Sequence, residues 1–149
     1  MIINYDSPGQ LCNRIWSLLP SIAYGLEYKE KVLAINLDKY SVDFENLNSN
    51  KYIRFASRKL VQRFLLSMKA RGYIQNGKPN IFSKLFKLNL IEGWSNRLGN
   101  EELVIKHSGE IRKIFTFRSE VTSAVDTVFS KFDNTIIIGV HIRLSLIHI

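Results

Sequence analysis

Two short segments hold the side chains best suited to chemistry. "GVHIR" (139–143) ends a run of aliphatics, and alternation along an extended strand puts His141 and Arg143 on one face. Arginine keeps its charge and grips phosphate through bidentate hydrogen bonds, and an imidazole N–H can donate to the same group. From spacing alone, an arginine that simply reaches solvent fits as well. "PGQLCNR" (8–14) is a glycine turn leading into an apolar-periodic stretch. Gly9 allows close approach of backbone to a ligand, and a helix N-terminus favours anions, so Gly9, Asn13 and Arg14 are candidate binding residues. The segment has one glycine where a dinucleotide fingerprint needs three, and a plain strand-to-helix turn explains it too.

Three further residues have chemistry available to them. Cys12 has no base placed beside it by sequence, so a buried, inert thiol is expected. Asp38, after the second predicted strand, could hold a ribose hydroxyl or be an ordinary loop carboxylate. His107 lies in a polar stretch and is expected at the solvated surface. One cysteine and three scattered histidines provide neither a disulfide framework nor a structural zinc pattern, and the lone cysteine fits a reducing compartment.

The elements that must position these residues read as follows. "MIINYD" (1–6) is a short strand, and the glycine turn follows it. Ile15, Leu19, Ile22 and Leu26 recur at helical spacing, with Pro20 inside the pattern as an expected kink or break. "KVLAINLD" (31–38) is a second strand. Strand, glycine turn, helix and strand form the opening βαβ of a Rossmann-like domain with a parallel sheet. Residues 39–51 read as a loop. Residues 52–72 read as an amphipathic helix with Leu60, Phe64 and Met68 on one stripe, Val61 and Leu65 beside it, and Gly72 as its stop. "KLNLIEGW" (87–94) reads as a third strand, and 95–110 as a polar rim. Residues 110–117 and 119–132 read as helical, with Ser119 as N-cap and Val121, Val125, Val128 and Phe132 as a stripe. "NTIIIGVHIR" (134–143) reads as a buried strand of a parallel sheet.

The 149 residues suffice for one ordinary domain or one plus a fragment, and 46% hydrophobic content supports a sizeable core. No apolar run reaches the length of a membrane-spanning helix, and no signal peptide is evident. The net charge of +8 is concentrated. Residues 51–91 hold ten Lys or Arg and no Asp or Glu, whereas the rest of the chain is close to balance. Such a region attracts nucleic acid, acidic lipid or a phosphorylated substrate, unless it is only a solvated face.

Taken together, "GQLCNR", "EGW" (92–94), "EIRKIFTF" (110–117) and "GVHIR" stand in the order and rough spacing of one family. The chain resembles the bacterial α-1,2-fucosyltransferases and, more loosely, the wider fucosyltransferase superfamily. The resemblance implies an α/β fold, with a Rossmann-like N-terminal domain of a two-domain, B-type glycosyltransferase. Residues 1–133 would form the acceptor-side domain. Residues 134–149 would hold the first strand of the donor-binding domain, broken off at the C-terminus. The implied activity is inverting transfer of fucose from GDP-fucose to a sugar hydroxyl of a glycan, without a metal or other cofactor. Arg143 would stabilise charge on the departing diphosphate with His141 in support, while Gly9, Asn13 and Arg14 would hold sugar or phosphate groups.

The departures from the family pattern also carry expectations. Cys12 stands where the family commonly has glycine, and Arg14 where the α-1,2 enzymes commonly have glutamine. "LSLIHI" (144–149) stands where the family continues Arg-Gly-Asp, so a truncated gene or a misread terminus is expected, and an inactive, poorly soluble fragment with it. The implied partners are a nucleotide-sugar donor and a glycan acceptor, lipid-linked or free. Location would be cytoplasmic, with peripheral contact to the inner face of the membrane through the basic region 51–91. The competing class is a small basic anion- or nucleic-acid-binding α/β module. It ranks second because Phe64 and Phe82 are expected in the core rather than exposed among the cations.

Overall fold

The computed structural model describes residues 1–35, 37–74, 85, 87–92 and 101–132. Four short strands, β1 (Ile2–Asn4), β2 (Val32–Ala34), β3 (Ile53–Phe55) and β4 (Asn89–Ile91), form one sheet in the order β3-β2-β1-β4. Every pairing is parallel, with Ile3 opposite Leu33 on one side and Leu90 on the other. The helices are α1 (Leu11–Tyr28), α2 (Lys59–Ala70), α3 (Glu101–Lys106), α4 (Ser108–Ile114) and α5 (Ser119–Phe129). The chain is therefore α/β, and its sheet order is compatible with a Rossmann-like fold.

Alternation along β1 sets the layers. Ile2 joins a core cluster with Leu18 and Ile22 of α1, Val32, Ile53, and Ile111 and Ile114 of α4. Ile3 and Tyr5 join a second cluster with Ile35, Leu65 of α2, Ile74 and Leu90. The two clusters lie on opposite faces of the sheet, since odd and even positions of a strand point opposite ways. Right-handed crossovers require this division. The chain steps from β1 outward to β2 and β3, then returns to the other side of β1, so α1 and α2 fall on opposite faces. Asn48 completes the β3 edge by donating to Phe55 C=O at 3.3 Å and accepting from Phe55 N–H at 2.8 Å.

Helix α1 runs unbroken through Pro20. A proline inside a helix costs about 3 kcal/mol. Full burial of Leu18 and Ile22, on either side of it, outweighs that at about 1.5–3 kcal/mol each. Close packing of α1 on β2 depends on Gly25. A Cβ there would stand 2.5 Å from Val32 Cγ2 and 2.9 Å from the Glu30 carbonyl oxygen.

Several elements differ from their sequence-based expectation. The predicted helix 52–72 starts with strand β3, because Ile53 and Phe55 are buried while Arg54 between them is exposed. The helix itself begins at Lys59. Asp38–Asp43, from the last residue of the predicted second strand into the predicted loop 39–51, form a 3-10 turn. The predicted polar rim contains α3, whose Leu103 and Val104 pack on the core beside α1. "EIRKIFTF" is helical only to Ile114. Phe117 then bridges Phe44 in antiparallel fashion and stacks on its ring at 4.7 Å.

The chain divides into two compact units, Met1–Arg118 and Ser119–Ile149. In the second, α5 is described, with a short 3-10 turn at Ser130–Phe132, and its Val125, Val128 and Phe132 stripe is exposed. The predicted strand 134–143, and with it the expected domain start at 134, lie outside the described residues. Among the described residues no helix is long and apolar enough to cross a membrane.

Gly25→Ala should lower the free energy of unfolding by about 1–3 kcal/mol in urea denaturation, because backbone and Val32 oppose the added methyl. Gly109→Ala, with nothing within 4 Å of the new Cβ, should leave stability unchanged or raise it.

Candidate functional site

The carboxyl end of β1 carries the turn that the sequence analysis singled out. β1 is also where the strand order reverses, toward β2 and β3 on one side and β4 on the other. In open α/β sheets, ligands bind at the carboxyl edge beside such a reversal. The turn lies between Asn4 and the start of α1 at Leu11. Gly9 adopts φ +57°, the left-handed region that glycine enters without strain. A side chain at this position would also collide with Asn13, whose Nδ2 would lie 2.4 Å from the added Cβ.

Arg14 is held from two directions. Its Nε donates to the Gly9 carbonyl at 3.2 Å, and its guanidinium lies 5.2 Å from the centre of the Tyr40 ring. Tyr40 Oη donates to Gln10 Oε1 at 2.5 Å. On the opposite rim Gln62 Nε2 donates to Ser7 Oγ at 2.8 Å. The structure thus puts Gly9 in the turn and Asn13 and Arg14 beside it at the start of α1. Among the described residues nothing hydrogen-bonds the half-buried Asn13 carboxamide. His141 and Arg143 lie outside the described residues, as do Gly93 and Trp94 of the "EGW" segment. Glu92, the remaining member, pairs with Lys69 of α2 just beyond β4.

Sequence reasoning missed three features of this edge. Tyr40 fell in a stretch read as loop, and only tertiary structure brings it against Arg14. A cavity of about 340 Å³ opens past the ends of β2 and β3, lined by Ser41, Glu45, Asn48, Ser57 and Arg118 together with Phe44 and Phe55. That volume falls within the usual range of small-molecule sites. Its residues come from three separate stretches of chain, so no local pattern marks them. Asn4 and Tyr5, at the end of β1, are fully buried. Asn4 Oδ1 accepts from Ser21 Oγ at 3.1 Å, but its Nδ2 and the Tyr5 hydroxyl have no partner among the described residues. Burial, with the Asp6 carboxylate adding to it, raises the Tyr5 phenol above its ordinary value.

Two expectations about single residues are corrected. Cys12 is exposed rather than buried, on the first turn of α1 and outside the core clusters. His107 is not a solvated surface residue. Its Nε2 lies 2.7 Å from Glu27 Oε2, while Lys106 Nζ lies 2.7 Å from Glu27 Oε1. One carboxylate of α1 thereby ties down the α3–α4 junction. The Glu27 carboxyl is held below its ordinary range by its hydrogen bonds to Lys106 and His107. The backbone at Asp38 opens the 3-10 turn.

Compared with protein-family models, with curated proteins and with solved structures, the chain matches none.

A carboxyl lowered on folding adds stability above its unfolded pKa and loses it as pH falls through the folded one. Thermal melts of Glu27→Gln should therefore show a lower Tm than the parent chain at neutral pH. The gap should hold down to about pH 4.5, the ordinary carboxyl value, and close below it. A gap that persists unchanged in acid would show that Glu27 acts by packing, not charge.

Proposed function

We propose that this chain forms the acceptor-side domain of a glycosyltransferase like the bacterial α-1,2-fucosyltransferases. In the reaction, the bond from fucose C1 to the GDP oxygen breaks and its electron pair leaves with the diphosphate. An acceptor hydroxyl oxygen bonds C1 from the opposite face, and its proton passes to base or solvent. Negative charge grows on the β-phosphate. A fixed guanidinium at that point contributes about 2.7–4 kcal/mol of barrier lowering, roughly 100- to 1000-fold in rate. Arg143 has that role in this reading, and His141 donates beside it. Protein cations then neutralise the leaving group. The donor-binding domain would begin with the strand that carries these two residues.

The observation that carries the reading is the turn itself. Gly9 is in the left-handed region, Asn13 packs over it with an uncommitted carboxamide, and both stand at the carboxyl end of the strand where the sheet order reverses. The neighbouring cavity, with hydroxyl, amide and charged groups above Phe44 and Phe55, suits an acceptor sugar, which presents hydroxyls and an apolar ring face. The 3-10 turn links the two, because Tyr40 reaches the glycine turn while Ser41 lines the cavity.

A second reading is favoured by one correction. Phe64 is exposed on α2 rather than spent on the core. An exposed aromatic among cations is what a basic anion- or nucleic-acid-binding module requires.

Titration of the chain with an array of oligosaccharide acceptors should give saturable binding to a subset of them. Asn13→Ala should weaken it roughly two- to tenfold, the value of one hydrogen bond. Binding to no glycan, or binding indifferent to Asn13, would remove the turn as an acceptor site.

A further inference from the structure

The geometry points to α2 as a docking face for an anionic lipid surface. This inference is independent of the glycosyltransferase reading. Helix α2 contributes only Leu65 to the fully buried core, with Met68 packed beside it. Leu60 and Phe64, one turn apart, point instead to solvent at 80% and 54% exposure, and Val61 is exposed next to them. On a helix, Leu60, Phe64, Ser67 and Arg71 follow one line at intervals of four, three and four. This line runs along the edge of the buried face, so the apolar surface of the helix continues past the core into solvent.

The rim of that surface is cationic. Arg58, Lys59, Arg63 and Arg71 are all exposed on α2 and its ends. Arg54 adds a further exposed cation on β3, and Tyr73 is exposed just past the helix. No acidic residue occurs between Lys51 and Ile91. Lys69 of the helix pairs with Glu92 just beyond β4. Charge complementarity therefore calls for an anionic partner, and the exposed aliphatic groups decide which one. A nucleic acid offers bases that stack on Phe64, but it gives Leu60 and Val61 nothing to bury against. A lipid leaflet supplies both parts: headgroup phosphates for the guanidinium groups, and an acyl boundary for Leu60, Val61 and Phe64. An exposed tyrosine at the helix end matches the headgroup level.

Vesicle flotation of the full chain tests this. Vesicles of equal parts phosphatidylcholine and phosphatidylglycerol should carry the chain, and pure phosphatidylcholine vesicles should not. Removing Arg63 or Arg71 should weaken binding about fivefold each, and high salt should have the same direction of effect. Leu60→Gln should weaken it roughly tenfold at unchanged charge and unchanged Tm, because Leu60 makes no core contact. Binding that depends on the arginines but ignores Leu60 would overturn the proposal, as would tighter binding to a single-stranded oligonucleotide that displaces the vesicles. A chain that ignores both vesicle types, or a dimer in sedimentation that Leu60→Gln dissociates, would overturn it too. Glycan binding that survives every α2 variant would leave the acceptor-site reading standing on its own.

Discussion

Burial of β1 on both faces and both edges is the constraint on which the rest of this structure depends. A parallel strand pairs through evenly spaced bonds and needs cover above and below. β1 obtains its pairing from β2 and β4, and its cover from two separate apolar clusters. Because crossovers are right-handed, covering both faces forces the chain to leave β1 in one direction and to come back on the other side. That return places the reversal of strand order at β1 itself. The turn after β1 is therefore a structural corner and, in the proposed reading, also the place where backbone N–H groups and side chains would meet a ligand.

This double duty explains why so many contacts converge on a few residues. Gly9 has the one backbone conformation that lets Asn13 fold over it. Arg14 braces the turn through the Gly9 carbonyl and lies over Tyr40, so its guanidinium is held in place by its neighbours. The Asn4 amide Nδ2 and the Tyr5 hydroxyl, without a partner among the described residues, belong to the same strand end. Each such group costs about 1–3 kcal/mol when buried alone, and costs of that kind collect at functional edges rather than in the middle of a core.

The two faces of the sheet are unequally dressed. The α1 face is covered by α1, α3 and α4 and locked by Glu27 to Lys106 and His107. The opposite face has α2 alone among the described helices, and α2 gives it little more than Leu65 and Met68. A helix that devotes so little of its apolar surface to the core has the rest available for a partner. In the docking proposal, the cations concentrated on the same helix select an anionic partner.

Much of the fold was legible in local pattern. Short-range periodicity marks α1, and the apolar runs at 1–6, 31–38 and 87–94 mark three of the four strands, because residues close in sequence share a face. The glycine turn was legible for the same reason, since its special backbone and its neighbours fall within seven residues. What local pattern misread were cases with two compatible periods or a distant partner. Ile53, Arg54 and Phe55 suit a strand as well as a helix start, and only pairing with β2 decides it. Phe64 and Leu65 are adjacent and both apolar, yet only the seat of α2 on the sheet determines that Leu65 is buried and Phe64 is not. His107 looks solvated in a polar stretch until α3 brings it to Glu27, eighty residues earlier. Sequence by itself thus determined α1, three of the four strands and the turn chemistry, which are set by neighbours along the chain. Tertiary structure alone decided which faces are covered, which charges are paired and where a cavity remains, because those depend on contacts between segments far apart in sequence.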